Sequence, residues 1–95
     1  MTIYDLRTAL RLTVEDYDLE ILALAQAGMA DLAMAGVTGC TDMSALDDVT
    51  AQAVKTYVRA HFGSPDDYDR LKAAFDEQKA QLMTATGHTD WGDGA

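Results

Sequence analysis

The feature that most constrains this chain is a break between two helical runs. Residues 51–82, AQAVKTYVRAHFGSPDDYDRLKAAFDEQKAQL, read as helix, hinge, helix. Gly63 stands where a helix end favours a left-handed backbone. Ser64 offers an oxygen to a free first-turn amide, and Pro65 falls at the first helical position, where an N–H is not needed. Asp66 and Asp67 suit the positive end of the next helix dipole. The hinge sets two helices side by side with no reactive group between them, which makes a scaffold and a surface.

At 95 residues the chain is one domain, near the size at which a private hydrophobic core is only just sufficient. A hydrophobic content of 48% with a single proline indicates a folded chain, and alanine, leucine and methionine outnumber valine and isoleucine, which favours helix. Burial against copies of itself or a partner is therefore expected. The formal charge of −9, from 16 acidic and 7 basic residues, disfavours reading duplex DNA or lying on an anionic membrane. Such acidity either keeps a surface soluble or makes a wall that nucleic acid passes without adhering. Cys40, the single cysteine, has no partner for an internal disulfide, and no Cys/His spacing suits a metal. With no basic start leading into an apolar run, and no apolar stretch of membrane length, a reducing cytoplasm is the expected setting.

Along the chain the spacing predicts four helices, an all-α small bundle. The first runs over about 2–10, capped by Thr2, with Ile3, Leu6 and Leu10 on one side. Either Thr13 or Asp16 restarts the pattern, and the second helix covers about 15–35, stopped by Gly36. Its apolar stripe is Ile21, Leu22, Ala25, Met29, Leu32 and Ala33. Gly28 lies within it at a cost of about 1 kcal/mol relative to alanine, marking either a close approach by another helix or a local weakness. A loop over 36–42 follows. Ser44 and Asp47 resemble a capping box for the third helix, which runs to Phe62 with Leu46, Val49, Ala53, Val54, Tyr57 and Ala60 on one face. The fourth helix, about 65–84, has a narrow seam of Tyr68, Leu71, Phe75, Gln78 and Leu82, so it lies at the edge of the domain or projects from it. Asp66–Arg70, Lys72–Asp76 and Asp76–Lys79 are spaced to pair on its outer side. Residues 1–84 thus form the helical domain and 85–95 a flexible tail, with three glycines and no periodicity. Trp91 is the sole tryptophan and has no core around it there; it either docks onto another chain, with His88 and Asp90 beside it, or folds back on its own domain.

Catalytic chemistry finds little support. His61 borders an apolar helix face near a helix end, where charge–dipole and packing roles suffice. His88 is in the tail, Cys40 lacks a basic neighbour to lower its thiol pKa, and Ser44 and Ser64 read as caps. Asp66, Asp67 and Asp69 open a helix and lack the alternating ligand loop of a calcium site. No glycine-rich phosphate cradle is present. The chain reads as no enzyme, with no metal and no cofactor.

In its order of parts the chain resembles the small helical head–tail connector (adaptor) proteins of long-tailed phages, also described as DNA-packaging proteins. YDLRTALRLTVEDYDLEILALAQAG looks like that family's opening: short helix, acidic turn, long helix. DVTAQAVKTYVRAHFG and SPDDYDRLKAAFDEQKAQL look like its tyrosine-bearing helix, hinge and closing helix. The resemblance covers most of residues 3–83, and its most specific piece is Tyr57 to Gly63 with the Asp66-Asp67-Tyr68 start; the loop GVTGC departs from the longer polar stretch often found there. The resemblance implies a homo-oligomeric ring, commonly a dodecamer in the virion, between the portal and the stopper or tail-completion protein. The chain would be made in the host bacterial cytoplasm and reside at the capsid–tail junction. DNA would pass through the channel without specific binding, and no membrane is involved. The projecting fourth helix and tail would reach the portal or a neighbour, with His88, Asp90, Trp91, Tyr68 and Phe75 as partner-binding residues. The rival reading is a small acidic helical binding module, a DNA mimic or an inhibitor of a basic partner.

Overall fold

Local capping places the helices. In a computed structural model that describes residues 1–63 and 66–84, the elements are α1 (Ile3–Ala9), α2 (Asp18–Met34), a single 3-10 turn (Met43–Ala45), α3 (Asp48–His61) and α4 (Tyr68–Thr84). The described residues form an all-α bundle. Thr2 caps α1 as expected, and Asp5 completes a reciprocal box: the Thr2 N–H donates to its carboxylate at 2.9 Å, and the Asp5 N–H donates back to Thr2 Oγ1 at 3.3 Å. Gly36 ends α2 with φ 97; its N–H reaches the carbonyl of Ala33, and the Val37 N–H that of Leu32, both at 3.0 Å. The same closing pattern ends α1, where Arg11 takes the left-handed position with φ 60 and Leu12 donates to the Arg7 carbonyl at 2.8 Å. A side chain there costs about 1–2 kcal/mol that glycine escapes. Gly63, with φ 68, takes the left-handed backbone expected at the hinge; Ser64 and Pro65 lie outside the described residues, and α4 begins at Tyr68, so Asp66 and Asp67 precede the helix instead of forming its first turn.

Three local expectations need correction. α2 begins at Asp18, not near 15, and Tyr17 precedes it without a side-chain cap. Neither Thr13 nor Asp16 starts the helix, because the Arg7 guanidinium, from α1, holds Asp18 through a two-pronged contact: Nε to Oδ1 at 2.8 Å and Nη2 to Oδ2 at 2.6 Å. Ser44 belongs to the 3-10 turn capped by Asp42, while Asp47 alone caps α3, accepting from the Thr50 N–H at 2.8 Å. On α3 the buried arc is turned from the expected one. Val49 is 55% exposed, and Thr50, Val58 and Thr56 are buried with Ala53 and Val54. Thr56 tolerates burial because its hydroxyl donates to the Gln52 carbonyl at 3.0 Å.

α3 is the central element, packed on α1, α2 and α4, which is why its buried arc is the broadest. α2 contributes Ile21, Ala25, Met29 and Leu32 to the core, α1 contributes Leu6, and the loop after α2 folds Val37 and Cys40 back over it. α4 lies at the edge, packed chiefly on α3 through Leu71, Phe75 and Leu82. Two of its expected ion pairs are rearranged. Lys72 holds Asp76 at 3.1 Å as expected, but Arg70 pairs with Asp67, and Lys79 reaches across to Asp31 of α2 at 2.9 Å.

Gly28 marks close helix approach. A Cβ built there would meet Tyr57 Cγ and Cδ1 at 3.0 Å and Tyr57 Cβ at 3.2 Å. Turning the ring would not relieve the contact to Cβ, so α2 and α3 would have to separate. We expect Gly28→Ala to destabilise the fold by about 1–3 kcal/mol in chemical denaturation, overpacking outweighing the helix-propensity gain; an increase in stability would contradict this contact. The Arg7 hydrogen bonds hold the Asp18 carboxyl below its ordinary value of 3.8. A group depressed in the folded state adds stability above its unfolded value and loses it as pH falls below that value. The melting temperature should therefore drop below about pH 4, and Arg7→Gln should flatten that acid limb in a pH series of thermal melts.

Candidate functional site

Rings from α3 and α4 form a ladder running from core to surface. Phe75, 4% exposed, meets the Tyr57 ring edge-on with centroids 5.2 Å apart. Tyr57 stacks on His61 at 4.1 Å, and His61 meets Tyr68 edge-on at 5.8 Å. The ladder follows from spacing: Tyr57 and His61 are one turn apart on α3, Tyr68 and Phe75 two turns apart on α4, and the hinge brings the pairs together. His61 Nδ1 lies 2.9 Å from the Tyr57 carbonyl, which orients the imidazole at the helix end. A second ring pair, Tyr17 with Phe62 at 5.5 Å, ties the start of α2 to the end of α3.

The structure thus brings together two of the five residues expected to meet a partner, and separates their tasks. Tyr68 is on the surface, whereas Phe75 is a core side chain, with Lys79 Nζ 5.5 Å from its ring centroid. Phe75 supports the surface from beneath and does not form part of it. His88, Asp90 and Trp91 lie outside the described residues.

An uncovered apolar side of α2 is a feature that the reading of this helix as a single apolar stripe missed. Among its 17 residues only Asp18, Glu20, Gln26 and Asp31 carry polar side chains. Opposite the core-facing side lie Ala23, Ala27, Ala30 and Ala33, all exposed, with Leu19 (85% exposed) and Met34 (89% exposed) near the two ends. A helix apolar on both sides is normally covered on both. The signal was present in the composition of the segment, a run with almost no polar face.

The single cysteine is buried. Burial, with a smaller contribution from Asp47, raises the Cys40 thiol pKa, and its Sγ sits 3.7 Å from the Thr38 carbonyl. Among the described residues no group of three or more His, Cys, Asp or Glu side chains is placed to hold a metal ion, and no helix is long and apolar enough to cross a membrane. Comparison with protein families, curated sequences and solved structures finds no match for this chain.

The two ends of the ladder should respond differently to truncation. Phe75→Ala should cost about 3–5 kcal/mol in denaturant unfolding, and Tyr68→Ala below about 1 kcal/mol. The reverse order would show that the ladder is anchored from the surface.

Proposed function

We propose that this chain is a structural head–tail connector of a tailed phage. Copies assemble as a ring, a dodecamer in the virion, beneath the portal; the ring extends the DNA channel and joins capsid to tail. The observation that carries this reading is the outward side of α2, where alanines allow close approach and Leu19 and Met34 offer anchors to a neighbouring copy. The resemblance of its order of helices and hinge to that of the connector family supports it.

In this reading the chain performs no catalysis and holds no cofactor. Its partners are further copies, the portal protein and the stopper or tail-completion protein, and its place is the capsid–tail junction. Its net charge of −9 suits a passage that DNA traverses without specific binding. The alternative of an acidic mimic of DNA is less well supported, since the main uncovered helix face is apolar and not a row of carboxylates.

Electron microscopy of the purified protein, alone and mixed with portal, tests this. Closed rings are expected, with Leu19→Asp/Met34→Asp remaining helical by circular dichroism but failing to assemble. A monomer in both settings that instead captures a basic protein in a salt-sensitive way would favour the mimic and contradict the connector.

A further inference from the structure

We infer that the face made by α1 and the adjoining side of α3 is a cationic seat for a second copy of this chain, receiving the turn before its α2 and the first turn of that helix at Asp16, Leu19 and Glu20. The inference rests on the connector reading and identifies the two surfaces that meet.

Four of the seven basic residues gather on this face. Three shallow concavities run together across it: one between Asp5, Lys55 and Arg59, one between Tyr4, Arg7 and Arg11, and one from Arg11 and Arg59 toward Phe62 and Leu71. The charges native to the face are unevenly committed. Arg7 is held by Asp18, Asp5 accepts from the Thr2 N–H, and Asp67 pairs with Arg70. Arg11, Lys55 and Arg59 make no ion pair among the described residues. Arg11 moreover occupies the left-handed position that usually goes to glycine, so a guanidinium is placed here against the local backbone preference.

The Asp5 carboxyl is held below its ordinary value chiefly by the Thr2 N–H and in part by nearby Lys55. In a chain with 16 acidic and 7 basic residues, Arg11 and Arg59 are thus left with no ion pair among the described residues on this side. The complementary occupant is acidic. A nucleic acid would also be acidic, but a long polyanion must pass the rest of a surface that repels it. A short protein carboxylate cluster need not. The approach to α2 and its first turn offer one: Asp16 and Glu20 are exposed, make no ion pair among the described residues, and flank Leu19 at the end of the uncovered apolar side. Apolar contact bordered by complementary charge is the usual composition of a protein interface. The seat and the segment it receives are different patches; paired head to tail they repeat from copy to copy and close a ring where the rotation allows, as the connector reading requires.

Reversal and exchange of charge test the inference. Lys55→Glu/Arg59→Glu and Asp16→Lys/Glu20→Lys should each raise the concentration needed for assembly by about tenfold or more in sedimentation at low salt, and the fourfold variant combining both pairs should restore assembly. Lys55→Gln/Arg59→Gln, a milder change, should give an intermediate loss, and circular dichroism confirms that each variant is folded. Carbodiimide cross-linking of mixed isotopically light and heavy copies should join Lys55 of one copy to Asp16 or Glu20 of another. Wild-type rings that persist unchanged in the Glu and Gln variants, or duplex DNA binding that the Glu variant abolishes, would overturn this inference while leaving the connector reading standing. A wild-type chain that stays monomeric at every concentration, with and without portal, would overturn both.

Discussion

The contact between Gly28 and Tyr57 sets the geometry on which the other features depend. Without a side chain at residue 28, α2 lies close enough to α3 for the Tyr57 ring to occupy the space a methyl would fill. That approach closes the core around Ile21, Ala25, Leu32, Val54 and Val58. It also orients the tyrosine so that one side meets Phe75 and the other His61, carrying order from the interior to the hinge surface at Tyr68. Polar cross-links then hold the outlying helices: Arg7 with Asp18 for α1, and Lys79 with Asp31 for α4.

This arrangement uses α2 on one side and leaves the other apolar. A small domain buries a limited share of its surface, and in the proposed ring the further burial comes from another copy. Alanines along the outward side keep it flat enough for a helix to approach, while Leu19 and Met34 supply larger contacts near its ends. The one thiol is buried with its pKa raised, and His61 is engaged with the Tyr57 ring and carbonyl. The proposed ring follows from these features together with the family resemblance.

Features governed by neighbours in sequence were legible there. Thr2 and Gly36 start or stop helices through contacts within a few residues, and Gly63 takes the left-handed backbone just beyond α3. Features set by distant neighbours were not. Asp47 outcompetes Ser44 as a cap because the 3-10 turn engages Ser44 with Asp42. Lys79 turns from Asp76 to Asp31 because α4 lies beside α2, and the Arg7–Asp18 link joins residues in different helices. On α3, threonines at 50 and 56 read as polar, yet contact on several sides buries them in place of Val49. Of the candidate site, the grouping of Tyr68 with Phe75 was readable from helical spacing. Their division between surface and core required knowing where α3 runs. The outward side of α2 escaped notice because alanine fits a core stripe and a tight interface equally well.

In the proposed ring another copy covers the outward side of α2. Met34, 89% exposed in the single subunit, reports on this directly, with buried Met29 as the internal control. Peroxide oxidation followed by peptide mass spectrometry should show Met34 sulfoxide forming readily in dilute subunits and about tenfold more slowly in assembled material. Equal Met34 oxidation in the two states would place the interface elsewhere and contradict the account.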